Sequence, residues 1–403
     1  MLDKLKMPLI MCVIFAVTVF AGIKVFSYLS YSELPVISLE GIKKDSYYAN
    51  NLNVNINVNS GYKISSIAAF LDSKPVDLEN SKEIGKKNVK LAFNLDTKEL
   101  SQGKHDFNVV ALDSSKHKNR NEETVNFYVD NSELKAAFLD MQYKVYQGHT
   151  IHAKIQSNKK LDNITALFLE KPFNFYPESE YSNVYECFIP LDCDLNPGEY
   201  ILNAKVKDFV GNETNLSSKV DILEYNFPKQ KGFVVERGKL EEEKEVSMSN
   251  KVLEDAIEKW VQDSPNKKLW SGKFELPIDV KKITTPFGEI RTTSEKGHYM
   301  HRAVDLLNFP KTVVWASQEG RVVIKDRFLL TGNTVVLDHG VGVFSIYCHL
   351  EDFADIEVGD LVKKGNKLGR LGMTGYANGY HLHWEIRVNN VAVNPMQWTQ
   401  RNF

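Results

Sequence analysis

Met300-His301-Arg302-Ala303-Val304-Asp305, taken with His381-Leu382-His383 further along, decides how the chain reads. His and Asp are common zinc ligands, and a hydrolytic zinc site keeps three protein ligands and one open position for water. A His and an Asp four residues apart, completed by one histidine of a distant H-x-H, supply such a trio. The other H-x-H histidine is then left to carry protons, as metal-assisted hydrolysis requires. Between the two motifs, Tyr347-Cys348-His349-Leu350 offers a second proton carrier. Residues two apart in a strand share a face, so His381 and His383 project together, as do Tyr347 and His349, while Cys348 points away. That parity disfavours a Cys348–His349 nucleophile pair. No H-E-x-x-H occurs, which excludes the helical zincin arrangement. Six of the ten histidines fall at or after His298.

Around this stretch the pattern is one of short strands with frequent Gly turns from about residue 276 onward. Immediately before it lies a connector. Residues 239–244 are charged, and residues 249–262 read as an amphipathic helix with Val252, Leu253, Ala256, Ile257, Trp260 and Val261 on one stripe, ended by Pro265. Residues 35–225 alternate apolar and polar positions, the period of half-buried strands. They also repeat. Gly103-Lys-His-Asp-Phe107-Asn-Val109-Val-Ala111-Leu-Asp113 matches Gly198-Glu-Tyr-Ile-Leu202-Asn-Ala204-Lys-Val206-Lys-Asp208, and Ala68–Asp72 matches Ala166–Glu170. Such a period, with turn signals such as Asn196-Pro-Gly198, predicts two β-sandwich modules. They resemble bacterial immunoglobulin-like domains. His105, His117, His149 and His152 are scattered through them and read as strand or loop residues.

The N-terminus differs. Residues 7–23 carry no charge, and apolar residues continue past Lys24 to Leu29. The run suits a transmembrane helix, and Lys4 and Lys6 before it favour a cytoplasmic N-terminus. A cleaved signal is the rival reading, but no A-x-A-like site follows the run. The remaining chain is then extracytoplasmic, a setting that permits a disulfide between Cys187 and Cys193; two separate core cysteines are the other reading. A net charge of −2 with 25% charged residues gives no basic excess, so nucleic acid is not an expected partner.

The resemblance that joins these observations is carried by Ile283-Thr-Thr-Pro286-Phe287-Gly288, His301-x-x-x-Asp305, Gly332-Asn333-Thr334, Asp338-His339-Gly340, Tyr347-x-His349-Leu350, Gly369-x-x-Gly372-x-Thr374-Gly375, His381-Leu-His383-x-Glu385-x-Arg387 and Asn394-Pro395. In order and spacing these resemble the lysostaphin-like zinc endopeptidases, which have the duplicated-hybrid-motif β-fold and cleave peptidoglycan. The resemblance implies that His301, Asp305 and His383 hold Zn2+, that His349 and His381 handle protons, and that Tyr347 is a candidate for the substrate groove. Ala303 stands where the family pattern has Gly, and its methyl group is expected to crowd a tight backbone. His339 reads as structural, and Glu385 and Arg387 as residues of the groove rim or solvent.

The expected fold is mainly β. It comprises a cytoplasmic tail and transmembrane anchor (1–34), two immunoglobulin-like sandwiches (35–131 and 132–226), a connector with an amphipathic helix (227–272), and the metallopeptidase domain (273–403). The expected protein is single-pass in the bacterial inner membrane, with its catalytic domain in the periplasm. Its substrate is the peptide part of peptidoglycan, and its sandwiches serve as a stalk or as a docking surface for a protein regulator. The alternative is a non-catalytic or autoinhibited regulator of other wall hydrolases.

Overall fold

A computed structural model of the chain describes residues 3–31, 33–180, 182–230, 240–293 and 297–403; the side chains of 3–10, 240–250, 292, 293 and 297–299 lie outside that description. The fold is mainly β. One helix, α1 (Asp3–Ser30), is long and apolar enough over Met11–Ser30 to cross a membrane, and its described side chains are exposed.

The chain divides into two compact units, Met1–Glu133 with Phe209–Asn212, and Leu134–Asp208 with Glu213–Phe403. The first contains a sandwich of a three-stranded and a five-stranded sheet. Alternation drives it: in Asn51–Asn59 (NLNVNINVN), Val54, Ile56 and Val58 are buried while most of the asparagines between them face out. The second unit contains a sandwich of five and four strands with its own core around Ile151, Ile155, Ile164 and Val206. The sequence repeat falls on equivalent strands. Gly103–Asp113 and Gly198–Asp208 each pair antiparallel with the strand that follows, and each takes on its other side Ile64–Leu71 or Leu161–Phe168.

Cys187 and Cys193 are both buried and unbridged. Cys187 belongs to the core of the second sandwich, whereas Cys193 belongs to the core of the C-terminal domain. The two separate core cysteines of the sequence reading are therefore what the fold contains.

The C-terminal domain is built on one large sheet, with a separate two-stranded ribbon, Ile290–Thr293 and Gly297–Met300. Its central order is Lys282–Thr285, Val304–Leu307, Leu382–Val388, Val343–Phe353, Gly332–Asp338 and Gly320–Phe328, all antiparallel neighbours. One face carries Val304, Leu306, Val335, Leu337, Tyr347, Leu382, Trp384 and Ile386 into the main core. Part of the other face, Val336, Phe344, Ile346 and Cys348, is covered by Leu253 and Ile257 of α2 (Leu240–Asp263).

The second sandwich and this domain share a core. Phe188, on a sandwich strand, packs among Trp270, Trp398 and Phe403. Thr150 N–H donates to Gln397 Oε1 (2.8 Å), and Gln397 Nε2 donates to Thr150 O (3.0 Å), across 247 residues of sequence.

Candidate metal centre

The site is built on the sheet face opposite the main core. Asp305 sits between the inward Val304 and Leu306, and His383 between the inward Leu382 and Trp384; Asp305 and His383 are cross-strand partners. Strand parity therefore turns both side chains out on one face at one level. His301 precedes the Val304–Leu307 strand. Its backbone N–H donates to Glu289 O (3.0 Å) and its carbonyl accepts from Gly288 N–H (2.7 Å), which fixes the approach of the ring. Ala303 between them is fully buried and does not adopt a positive φ, so the backbone there makes no left-handed demand that only glycine meets.

Three atoms converge. His301 Nε2 lies 3.3 Å from both Asp305 Oδ1 and His383 Nδ1, and His383 Nδ1 lies 3.1 Å from Asp305 Oδ1. Ligand bonds of about 2.0–2.1 Å in a tetrahedron set neighbouring ligand atoms about 3.3 Å apart. The triangle has the size of one face of such a tetrahedron. Its chemistry also favours a positive charge. Glu385 Oε1, an acceptor, lies 3.0 Å from His383 Nε2. Nε2 therefore keeps a ring proton, and loss of the second proton would leave the Nδ1 lone pair facing the triangle, where a metal could take it. Burial disfavours charge on His383, yet Asp305 and Glu385 on either side push it up to about 9. Burial also raises the Asp305 carboxyl, but contacts with His301 and His383 outweigh it and hold it well below the carboxylate range. Two carboxylates thus flank a position suited to a positive centre. Among the described residues, His301, Asp305 and His383 form the group of side chains able to hold a metal ion.

His349 and His381 border the triangle. Their rings are 4.8 Å apart between centroids, and His349 is 5.8 Å from His383. His381 Nε2 lies 3.8 Å from Asp305 Oδ1. His381 Nδ1 is 2.8 Å from Gly379 O, and His349 Nδ1 is 2.8 Å from Thr374 O. A carbonyl only accepts, so both histidines hold their proton on Nδ1 and offer Nε2 as a base. Burial, reinforced by the neighbouring histidines, pushes His349 down to about 3, so it is neutral at ordinary pH.

His349 reaches this face through a backbone irregularity. It has φ +60°, and the pairing register slips beside it. Tyr347 and Leu350 are in the main core while Cys348 lies on the opposite face. Alternation would have kept His349 with Tyr347; the bulge re-aims it. Tyr347 stays inside, fully buried, with its hydroxyl accepting from Ser317 N–H (2.9 Å) and bonded to Ser317 Oγ (2.7 Å) and Ser345 Oγ (2.9 Å). This corrects the expected groove position: the same parity that puts His383 on the site face puts Tyr347 on the other.

Two further expectations change. Glu385 and Arg387 are buried rather than at a rim. Glu385 contacts His383 through one oxygen and accepts from Arg387 Nε (2.7 Å) through the other; burial opposes its charge, but Arg387 holds its carboxyl down to about 2. Arg291 Nη2 donates to Thr285 Oγ1 (3.1 Å) and lies 3.9 Å from Asp305 Oδ2. Their signal in the sequence was the i, i+2, i+4 spacing from His383 for Glu385 and Arg387; Arg291 had none. His339 is structural as read, with Nδ1 2.6 Å from Glu319 O and Nε2 2.7 Å from Ser345 Oγ. The side chain of His298 lies outside the described residues.

A sheet presenting two histidines and an aspartate to one point, with two further histidines beside it, has the donor set of a metal site. Residues 299–395 match the model for Peptidase family M23. The chain is 34% identical over 126 residues to the DD-carboxypeptidase/endopeptidase Mpg of Neisseria meningitidis, covering 31% of this chain and 29% of that protein. It is 29% identical over 134 residues to the peptidoglycan DD-endopeptidase ShyC of Vibrio cholerae, covering 33% and 31%. The chain thus spans less than a third of the length of either curated relative. A solved catalytic domain of lysostaphin from Staphylococcus simulans aligns at 27% identity and TM-score 0.24, covering 36% of this chain and 97% of that one.

Proposed function

We propose that this protein is a membrane-anchored zinc metalloendopeptidase that hydrolyses peptide cross-links of peptidoglycan outside the cytoplasm. The observation that carries the chemistry is the triangle of His301 Nε2, Asp305 Oδ1 and His383 Nδ1, with separations of 3.1–3.3 Å. His301, Asp305 and His383 would hold zinc there, which would supply a water of pKa about 7 and a Lewis acid for the scissile carbonyl. The rest is done by the chain. His381, the more exposed of the two bordering histidines, accepts a proton at Nε2 from the attacking water and can return it to the leaving amine. His349, kept neutral by burial, holds a second acceptor nitrogen beside it, and any proton it takes is readily surrendered. Glu385 keeps the proton of His383 on Nε2 and so keeps Nδ1 free.

The choice of peptidoglycan as substrate rests on the M23 domain and the named activities of its relatives. The anchor rests on the apolar span Met11–Ser30. The complete ligand trio with both bordering histidines supports an enzyme over a non-catalytic regulator. Purified peptidoglycan incubated with the zinc-loaded full chain should release soluble peptides identifiable by mass. Asp305→Ala and His383→Ala should release none. Equal release by both variants would refute the assignment.

A further inference from the structure

We propose that helix α2 is coupled to the metal centre through Asn390, Arg387 and Glu385, so that its docking sets the affinity of the site for zinc. The proposal rests on the metal chemistry proposed above.

His383, Glu385 and Arg387 occupy alternate positions of one strand and share a face. His383 Nε2 meets Glu385 Oε1 (3.0 Å), and Arg387 Nε donates to Glu385 Oε2 (2.7 Å). The far end of the guanidinium, Nη1, donates to Asn390 Oδ1 (3.0 Å). Asn390 Nδ2 in turn donates to Glu254 O (3.2 Å) and Glu258 Oε2 (2.8 Å), both on α2. Beneath the helix, Leu253 and Ile257 cover Phe344, Ile346 and Cys348, whose sheet face is also that of His383. The row therefore runs without a gap from a metal ligand to the connector helix.

Each link constrains the next. Glu385 is buried with one oxygen on the ligand and one on Arg387, and an unpaired buried carboxylate is strongly unfavourable. Arg387 is buried too, and its outer nitrogen is held by Asn390. Asn390 has φ +60° and sits in the Asn389-Asn390 turn, where both residues are left-handed, so its side chain is presented to the helix by the turn itself. Undocking α2 strips Asn390 of its helix partners and opens the apolar face. Arg387 is then released from one side and Glu385 no longer fixes the His383 ring. The groups behind a metal ligand control its orientation, and their loss typically weakens binding about 10–100-fold.

The test measures zinc affinity of the detergent-solubilised full chain by competition with a chromophoric chelator, together with the visible spectrum of the cobalt-substituted protein. Arg387→Met should weaken zinc binding about 10–100-fold. Asn390→Gly removes the link while keeping the left-handed backbone unstrained, and should weaken binding measurably in the same direction. Leu253→Ala/Ile257→Ala, which loosens the helix, should match Asn390→Gly and shift the cobalt spectrum as it does. Adding Asn390→Gly to Arg387→Met should cost nothing more, because Asn390 acts through Arg387. If Arg387→Met does not fold, Asn390→Gly and the helix variant decide. Wild-type affinity and spectrum in both would overturn the coupling while leaving the proposed function intact; a wild-type chain that takes up no zinc would overturn both.

Discussion

His339 allows a quantitative test of the C-terminal core. The ring is fully buried between Glu319 O and Ser345 Oγ, at the edge of the aromatic cluster of Trp270 and Phe274. Burial pushes its pKa from 6.5 down to about 4, against the Glu319 hydrogen bond. In the folded protein the ring stays neutral until about pH 4; in the unfolded chain it takes a proton near 6.5. Between those values the unfolded state binds more protons, so stability is full above pH 6.5 and falls as pH drops through the window. The window is about 2.5 pH units, which at about 1.4 kcal/mol per unit gives a full loss of about 3.5 kcal/mol. His339→Gln cannot titrate and should lack this component, whatever its cost at neutral pH. The assay is urea unfolding from pH 7.5 to 4.5 followed by tryptophan fluorescence. All five tryptophans lie between Trp260 and Trp398, so the signal reports this region. Wild type should lose about 2.5 kcal/mol more than the variant over that range, which covers about 2 units of the window, and parallel curves would refute the burial argument.

Other outcomes follow from the same geometry. His349→Ala and His381→Ala should each keep stoichiometric zinc while lowering kcat about 10²–10⁴-fold, as single-turnover assays would show; loss of zinc instead would make them ligands. Tyr347→Phe should lower the urea midpoint by the equivalent of about 1–2 kcal/mol with KM for peptidoglycan fragments unchanged, because its hydroxyl serves Ser317 and Ser345; a KM change without destabilisation would return it to the groove. Ala303→Gly should leave zinc affinity and turnover near wild type and destabilise by about 0.5–1 kcal/mol, and a large gain in activity would show that the methyl group obstructs the site. Phe188→Ala should cost about 3–5 kcal/mol and loosen the seam with Trp270 and Trp398, read as faster proteolysis there; unchanged resistance would contradict a shared core.

The sandwiches and the convergence of His301, Asp305 and His383 were legible because they depend on local regularities. Val54, Ile56 and Val58 announce their burial by period, and Asp305 and His383 face the same way because each sits between inward neighbours. What was hidden depends on breaks in those regularities or on distant partners. Strand alternation places Tyr347 beside His349, and only the left-handed residue at position 349 separates them. Glu385 and Arg387 look like surface charges until the sheet and α2 close over them. The fusion of the second sandwich with the C-terminal domain depends on Phe188, whose partners lie some eighty residues or more away in sequence. Nothing in a two-residue period reports that.

Metal analysis of the purified full chain, combined with zinc-edge X-ray absorption, bears most directly on the account. One zinc per chain should be found, bound by two imidazole nitrogens and a carboxylate oxygen at about 2.0–2.2 Å, and it should be absent from Asp305→Ala and His383→Ala. No stoichiometric zinc, or zinc retained at full occupancy in both variants, would contradict it.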